Sequence, residues 1–426
     1  MRQPATDYAH RHISSGRSGR RTGLAWPLPI VLMLALVVAA LPMHAFASPG
    51  QPGTSGTSRS IAPPSVSAAA VFSFDLTSGV TLYTKDPDTR MQIGSTVKVM
   101  TALVVMKHGD LKDEVGIVES DIVDETQYSN MKLQAGDTLT VSTLLYGMLL
   151  PSGNDGANAL ARHVGSKLSG STDPVEATTA FVAEMNASAA SLNLADSRFI
   201  NPSGVDNDSS YSTAHDLAIM FGELIKNETL ARIVAEPAYA FYSVGPENRQ
   251  YQGDSTNRLL KQNGVIGGKT GSTGEAGGCV VLARSIEGSG ALVITAILGS
   301  DLAYDENNMI TIDVRWDDAA EVFDAMDSQF AWAAPGADGT FPGLAEELGV
   351  WGVQFRDAPP IPVPTGADEP ATYQLVLAAP ASATDPAGTV VFFYGDSEVG
   401  RLPVYQIATA GSPPVAPGLA DTRLAA

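Results

Sequence analysis

Ser95-Thr96-Val97-Lys98-Val99-Met100-Thr101-Ala102-Leu103-Val104-Val105-Met106 sets a hydroxyl, and three residues later an amine, at the head of an almost wholly apolar run. A run of that texture reads as a buried helix, and residues three apart share a helix face, so Ser95 is expected at the helix start with Lys98 one turn on. Two further short stretches follow in order, Ser152-Gly153-Asn154 and Lys269-Thr270-Gly271. Together the three supply a hydroxyl nucleophile with an amine beside it, a second hydroxyl and an amide, and a cationic strand edge. That is equipment for acyl transfer.

Each stretch alone is a weak signal, because Ser129-Asn130-Met131-Lys132 also reads Ser-x-x-Lys, while Ser191-Leu192-Asn193 and Ser255-Thr256-Asn257 also read Ser-x-Asn. Context separates them. Ser129 has no apolar helix behind it, and Asn130, Gly136 and Asp137 nearby look like a loop. Ser152 has a second reading as a helix cap, since Ser-Gly-Asn-Asp ahead of Ala157-Asn158-Ala159-Leu160 would start a helix unaided.

Working outward, the periodicity predicts a hairpin over residues 71–76 and 80–83, turning at Thr77-Ser78-Gly79. Helices are predicted after Ser95 and over residues 140–150, 155–166, 176–192 and 214–226. Glycine-separated β runs follow at 264–271, 278–285 and 291–299, then a helix at 317–333. Strands at both ends with helices between imply one α+β domain whose sheet joins the two ends of the segment. Past residue 335 the texture turns to Pro, Gly and Ala with β runs at 373–378, 389–394 and 402–409, which predicts a small all-β module joined through the proline-rich stretch 358–364.

The first residues pass from a basic stretch (Arg11, Arg17, Arg20, Arg21) through the apolar run 30–40 to Ala45-Phe46-Ala47, the pattern of a cleaved signal peptide. The apolar run is shorter than the roughly 20 residues of a spanning helix, so a membrane partner is expected only if this leader stays uncleaved. The organisation read from the sequence is therefore a signal peptide at 1–47, a flexible Pro/Gly/Ser/Thr linker at 48–67 and a catalytic domain at 68–335. A linker and β module follow at 336–410, then a disordered tail at 411–426. An extracytoplasmic location follows from the leader.

Removing residues 1–47 takes away five Arg and one Asp, so the net charge of −20 becomes −24 in the remainder. Such a surface repels nucleic acid and anionic membranes. Cys279 is the single cysteine, which excludes an intrachain disulfide, and its place before Val280-Val281-Leu282-Ala283 reads as a packed strand residue. His108, His163 and His215 show no metal-ligand spacing, so no metal or other cofactor is expected.

The motifs and the text around them resemble the serine D-alanyl-D-alanine carboxypeptidases, the low-molecular-mass penicillin-binding proteins. The likeness covers roughly residues 68–335 and is carried by Ile93-Gly94-Ser95-Thr96-Val97-Lys98, Leu149-Leu150-Pro151-Ser152-Gly153-Asn154-Asp155 and Phe199-Ile200-Asn201-Pro202-Ser203-Gly204. Tyr211-Ser212-Thr213-Ala214-His215-Asp216, Thr256-Asn257-Arg258-Leu259-Leu260 and Gly268-Lys269-Thr270-Gly271 extend it. It implies a penicillin-binding/β-lactamase-like domain, an antiparallel sheet covered by helices. It also implies peptidoglycan stem peptides ending in D-Ala-D-Ala as substrates and β-lactams as inhibitors. No amphipathic helix of the kind that anchors several relatives stands at the C-terminal end.

On that reading Ser95 is the nucleophile and Lys98 its base, kept neutral by an apolar setting and by a second cation, Lys269. Ser152 passes a proton toward the leaving amine, and Asn154 orients Lys98. Lys269 and Thr270 bind a terminal carboxylate, and Gly271 lets substrate lie along the strand edge. The backbone N–H groups of Ser95 and Ser272 form the oxyanion hole that the resemblance implies. Three rivals share or borrow this equipment. A class A β-lactamase is disfavoured because Ala189 stands where its E-x-x-L-N glutamate would be. The others are a DD-endopeptidase that cuts peptide cross-links and a non-catalytic wall-binding protein.

Overall fold

A computed structural model describes residues 64–407 except 337–338, 366–370, 381 and 383; the leader, most of the 48–67 linker and the tail from 411 lie outside the described residues. The first hairpin is β1 (Ala70–Asp75) and β2 (Thr81–Lys85). A 3₁₀ turn, Gly94–Val97, leads into α1 (Lys98–His108). Two short paired strands, β3 (Glu114–Gly116) and β4 (Thr138–Thr140), precede a helical run: α2 (Val141–Leu149), α3 (Asn154–Ser169), α4 (Pro174–Ser191), α5 (Ala214–Lys226) and α6 (Glu228–Val234). A hairpin of β5 (Ala238–Tyr242) and β6 (Gln250–Asp254) follows, then the long strands β7 (Val265–Thr273), β8 (Gly277–Ser285) and β9 (Leu292–Ser300). A second small hairpin, β10 (Leu302–Tyr304) and β11 (Ile310–Asp313), leads to α7 (Arg315–Gln329) and β12 (Phe330–Ala333). The remainder is α8 (Leu344–Trp351), β13 (Val353–Gln354), β14 (Ile361–Pro364), β15 (Ala371–Leu377), β16 (Gly388–Tyr394) and β17 (Ser397–Gln406).

The main sheet has the order β2-β1-β9-β8-β7, antiparallel throughout, so the first hairpin of the segment closes against its last strands, as the sequence implies. Alternation along β8 shows why its sequence is apolar without a break. Cys279, Val281 and Ala283 face the helical layer with Leu217, Met220 and Phe221 of α5, while Val280 and Leu282 face Val322, Phe323 and Met326 of α7. Both faces are covered, and β7 is left as an edge. The helices begin and end where local chemistry dictates. Asp173 accepts the first amides of α4 with Pro174 at its start, and α3 stops at Gly170 in a left-handed conformation, φ +72°.

The predicted helix at 317–333 is longer than the observed one at its C-terminal end and shorter at its start. α7 begins at Arg315 and stops at Gln329, and Phe330–Ala333 becomes β12, paired with β14 inside the stretch read as a proline-rich joint. A two-stranded ribbon leaves one side of each strand free, so Pro362 and Pro364 fit there without losing a ladder bond. The three predicted C-terminal β runs appear as β15, β16 and β17 in a sheet of order β13-β17-β16-β15, with α8 as an addition. Their core is separate from that of the main sheet and centres on Phe341, Leu344, Val390, Phe392 and Val404. Among the described residues no helix is long and apolar enough to cross a membrane.

Candidate active site

Ser95 lies on the 3₁₀ turn rather than in the first turn of α1, and Lys98 is the first residue of α1. The amine of Lys98 stands 2.9 Å from Ser95 Oγ, 2.6 Å from Asn154 Oδ1 and 2.6 Å from the Ser203 carbonyl oxygen. Lys98 is 0 % exposed, whereas Ser95 is half-buried and open to an incoming group. Burial, and then the charge of Lys269, hold the Lys98 pKa well below the ordinary lysine value, with Asp155 opposing. A neutral amine suits these partners. It has two N–H bonds for the two acceptor oxygens and a lone pair for the proton of the Ser95 hydroxyl.

Lys269, on the edge strand β7, donates to Ser152 Oγ at 2.8 Å and to the Thr270 carbonyl at 2.7 Å. Burial, with Arg315 behind it, lowers its pKa to about 7. The middle motif thus joins the two lysines, Asn154 bonding to one and Ser152 to the other. Ser152 adopts φ +67°, a left-handed conformation for a residue with a Cβ, which costs on the order of 1–3 kcal/mol and persists only when the surroundings impose it. The helix-cap alternative does not describe its side chain: α3 starts at Asn154 with Gly153 as N-cap and no side-chain capping bond. The carboxylate of Asp155 instead accepts from the amides of Met131, Leu133 and Gly156, which straps the loop of the rival Ser129 motif beneath the turn. Ser129 and Lys132 themselves are exposed.

The strand and the serine turn are in close apposition. A Cβ on Gly271 would lie 2.4 Å from the Ile93 carbonyl and 3.2 Å from Ser95 N, and one on Gly94 would lie 3.1 Å from Ser272 N. Gly271 is therefore required by the turn that carries Ser95, a stronger reason than the substrate access read from sequence. The amides of Ser95 and Ser272 border this one seam. Thr270 Oγ1 lies 2.6 Å from Thr256 Oγ1.

Ser95, Lys98, Ser152, Asn154, Lys269, Thr270, Gly271 and Ser272 are all brought together. Sequence reasoning gave no role to two other participants. One is the Ser203 carbonyl, which lies in a quoted matching stretch, but any residue has a carbonyl and no side chain marks it. The other is Arg315, 1 % exposed, which donates to the Gly271 and Cys279 carbonyls at 2.7 and 2.9 Å, to Ser272 Oγ at 2.7 Å and to Asp313 Oδ1 at 2.5 Å. Only an unremarkable position at a helix start marks it in the sequence. Cys279 is fully buried in β8 and burial pushes its thiol up to about 11, which suits a packing role. Among the described residues no cluster of His, Cys, Asp and Glu is disposed to hold a metal ion.

A Ser–Lys pair at the junction of a 3₁₀ turn and a helix, packed against the cationic edge strand of an antiparallel sheet, defines a serine enzyme of acyl transfer. Residues 57–301 match the D-alanyl-D-alanine carboxypeptidase family of serine peptidases, and the chain belongs to that family. It is 36 % identical over 245 residues to a D-alanyl-D-alanine carboxypeptidase of Streptomyces sp. strain K15, covering 56 % of this chain and 82 % of the relative. With a D-alanyl-D-alanine carboxypeptidase of Mycobacterium tuberculosis it shares 35 % identity over 253 residues, 59 % of this chain and 79 % of the relative. The crystal structure of the Streptomyces K15 DD-transpeptidase superposes with a TM-score of 0.56 at 34 % identity, over 62 % of this chain and 98 % of that one.

Proposed function

We propose that Ser95 attacks the carbonyl of the penultimate D-alanine of a stem peptide while Lys98 takes its proton. The tetrahedral oxyanion is held by the N–H groups of Ser95 and Ser272, each such donor being typically worth about 10²–10³ in rate. Collapse breaks the C–N bond, Ser152 relays a proton to the departing amine, and D-alanine leaves. Water then hydrolyses the Ser95 ester. Asn154 and the Ser203 carbonyl hold the amine of Lys98 in its orientation, and Lys269 with Thr270 binds the terminal carboxylate. β-Lactams acylate the same serine because they present an equivalent carbonyl and carboxylate. The leader supports export, so the site of action is the cell-wall space or periplasm, and residues 68–335 form the catalytic unit with 336–410 as a separate β module.

The observation that carries this reading is the fully buried Lys98 amine, between two acceptor oxygens and the Ser95 hydroxyl. Labelled penicillin should modify Ser95, and a pentapeptide ending in D-Ala-D-Ala should release one equivalent of D-alanine per turnover, both read by mass spectrometry. A folded Ser95→Ala protein that labels as well as the original would refute it. Penicillin labelling without release of D-alanine would favour the non-catalytic wall binder.

A further inference from the structure

Thr256 lies between the Ser152 turn and β7, and the chemistry above makes no use of it. Its hydroxyl is 2.6 Å from the hydroxyl of Thr270, and its amide donates at 3.1 Å to the carbonyl of Leu150, two residues ahead of Ser152. The stretch that carries it is fixed on both flanks. Ser255 N bonds the Pro237 carbonyl at 2.8 Å, and Asn257 Oδ1 accepts the Leu259 amide at 3.1 Å. A Cβ on Gly268 would lie 2.8 Å from Asn257 Nδ2, so residues 255–257 rest directly on β7. One short segment therefore ties the Ser152 turn to the strand of Lys269 and Thr270.

Two hydroxyls at this distance share one hydrogen bond: one donates, and the other, having accepted, keeps its own proton to give elsewhere. Thr270 is 7 % exposed, whereas Thr256 is exposed. A carboxylate accepts and never donates, so a carboxylate beside Thr270 is served only when the Thr270 proton points at it. That is the orientation in which Thr256 donates to Thr270. Without this neighbour the Thr270 hydroxyl is free to rotate, and the pointing has to be imposed when substrate binds.

We propose that Thr256 is a positioning residue for carboxylate recognition: its O–H donates to Thr270 Oγ1 and so aims the Thr270 O–H at the terminal carboxylate of the substrate. This role rests on the reading of Lys269 and Thr270 as the carboxylate site and deepens it. Lys269 supplies the attraction of charge, and the aligned pair of hydroxyls supplies the direction.

The test uses the full chain and two thioesters of one acyl-D-alanine. Their leaving groups are thioglycolate, which carries a carboxylate, and ethanethiol, which carries none, and the readout is the ratio of the two kcat/KM values. Thr256→Val, which removes the hydroxyl and keeps the branched shape, should lower the thioglycolate-to-ethanethiol ratio by about three- to tenfold, the range for one hydrogen bond. Thr256→Ser should leave the ratio near the original. In a Thr270→Val background, Thr256→Val should change it no further, because the effect passes through Thr270. An unchanged ratio in Thr256→Val would overturn the proposal. An equal loss on both thioesters would overturn it too, by marking a merely structural role, and so would full additivity with Thr270→Val. An original protein that turns over both thioesters equally, or neither, would refute the carboxylate reading of Lys269 and Thr270, and the role of Thr256 with it.

Discussion

Lys98, Lys269 and Arg315 are 0, 1 and 1 % exposed and sit against the apolar core of the catalytic segment, whereas among the described residues from 339 to 407 no charged side chain is buried. The core of the C-terminal module is built from Phe341, Leu344, Val390, Phe392 and their neighbours alone. Burying a charge costs several kcal/mol unless it is bonded or neutralised, so the catalytic segment bears a cost that the module avoids. The two regions differ in that one holds a buried amine of lowered pKa beside a hydroxyl, whereas the core of the other is apolar. They are also joined: Trp332 on β12 donates to the buried Asp75 at 3.0 Å, and β12 pairs with β14.

The largest test of this contrast is Lys98→Met, which fills the same space with an apolar chain. Acylation by penicillin should fall by about 10³–10⁴-fold, within the range for loss of a general base, while circular dichroism shows a folded protein. Normal acylation would mean that the buried amine is structural and the contrast false. Next is Phe392→Ala, which hollows the module core and should cost about 3–5 kcal/mol of its stability in denaturant unfolding. The acylation rate per folded molecule should stay unchanged. A parallel loss of acylation would show that the two regions are one functional unit.

The smallest effect is in pH dependence. With a pKa of about 7 in the free enzyme, Lys269 loses its proton as pH rises, and the carboxylate loses its counter-charge, so kcat/KM falls on the alkaline side. A bound carboxylate favours the ammonium, so the alkaline limb of kcat should lie at higher pH than that of kcat/KM, each unit of separation being about 1.4 kcal/mol. On the acid side both profiles fall as Lys98 becomes protonated. Superimposable alkaline limbs would remove Lys269 from carboxylate binding.

Several elements were legible because their signals are local. The apolar run after Lys98 announces α1, and a short unbroken apolar run behind glycine announces the doubly covered strand β8. Phe330–Ala333 was misread as helix because its conformation follows from pairing with residues about thirty positions away, which no local pattern records. The β5–β6 and β10–β11 hairpins were missed for a related reason. Their strands are only three to five residues long, too short for a local pattern to settle, although Ala238–Tyr242 is apolar or aromatic throughout.

By itself the sequence determined which residue types meet and in what order: a serine and a lysine one turn apart, a Ser-Gly-Asn turn, and a lysine strand before glycine. The helix repeat and the alternation of a strand are properties of neighbouring residues, so they are written in the chain. Only the tertiary structure decided that burial and Lys269 lower the pKa of Lys98, that Ser152 bonds Lys269 instead of capping α3, and that Gly271 makes room for the serine turn. It also brought the Ser203 carbonyl and Arg315 to the site. Burial, charge proximity and close approach depend on groups distant in the chain, and those exist only once the sheet has closed.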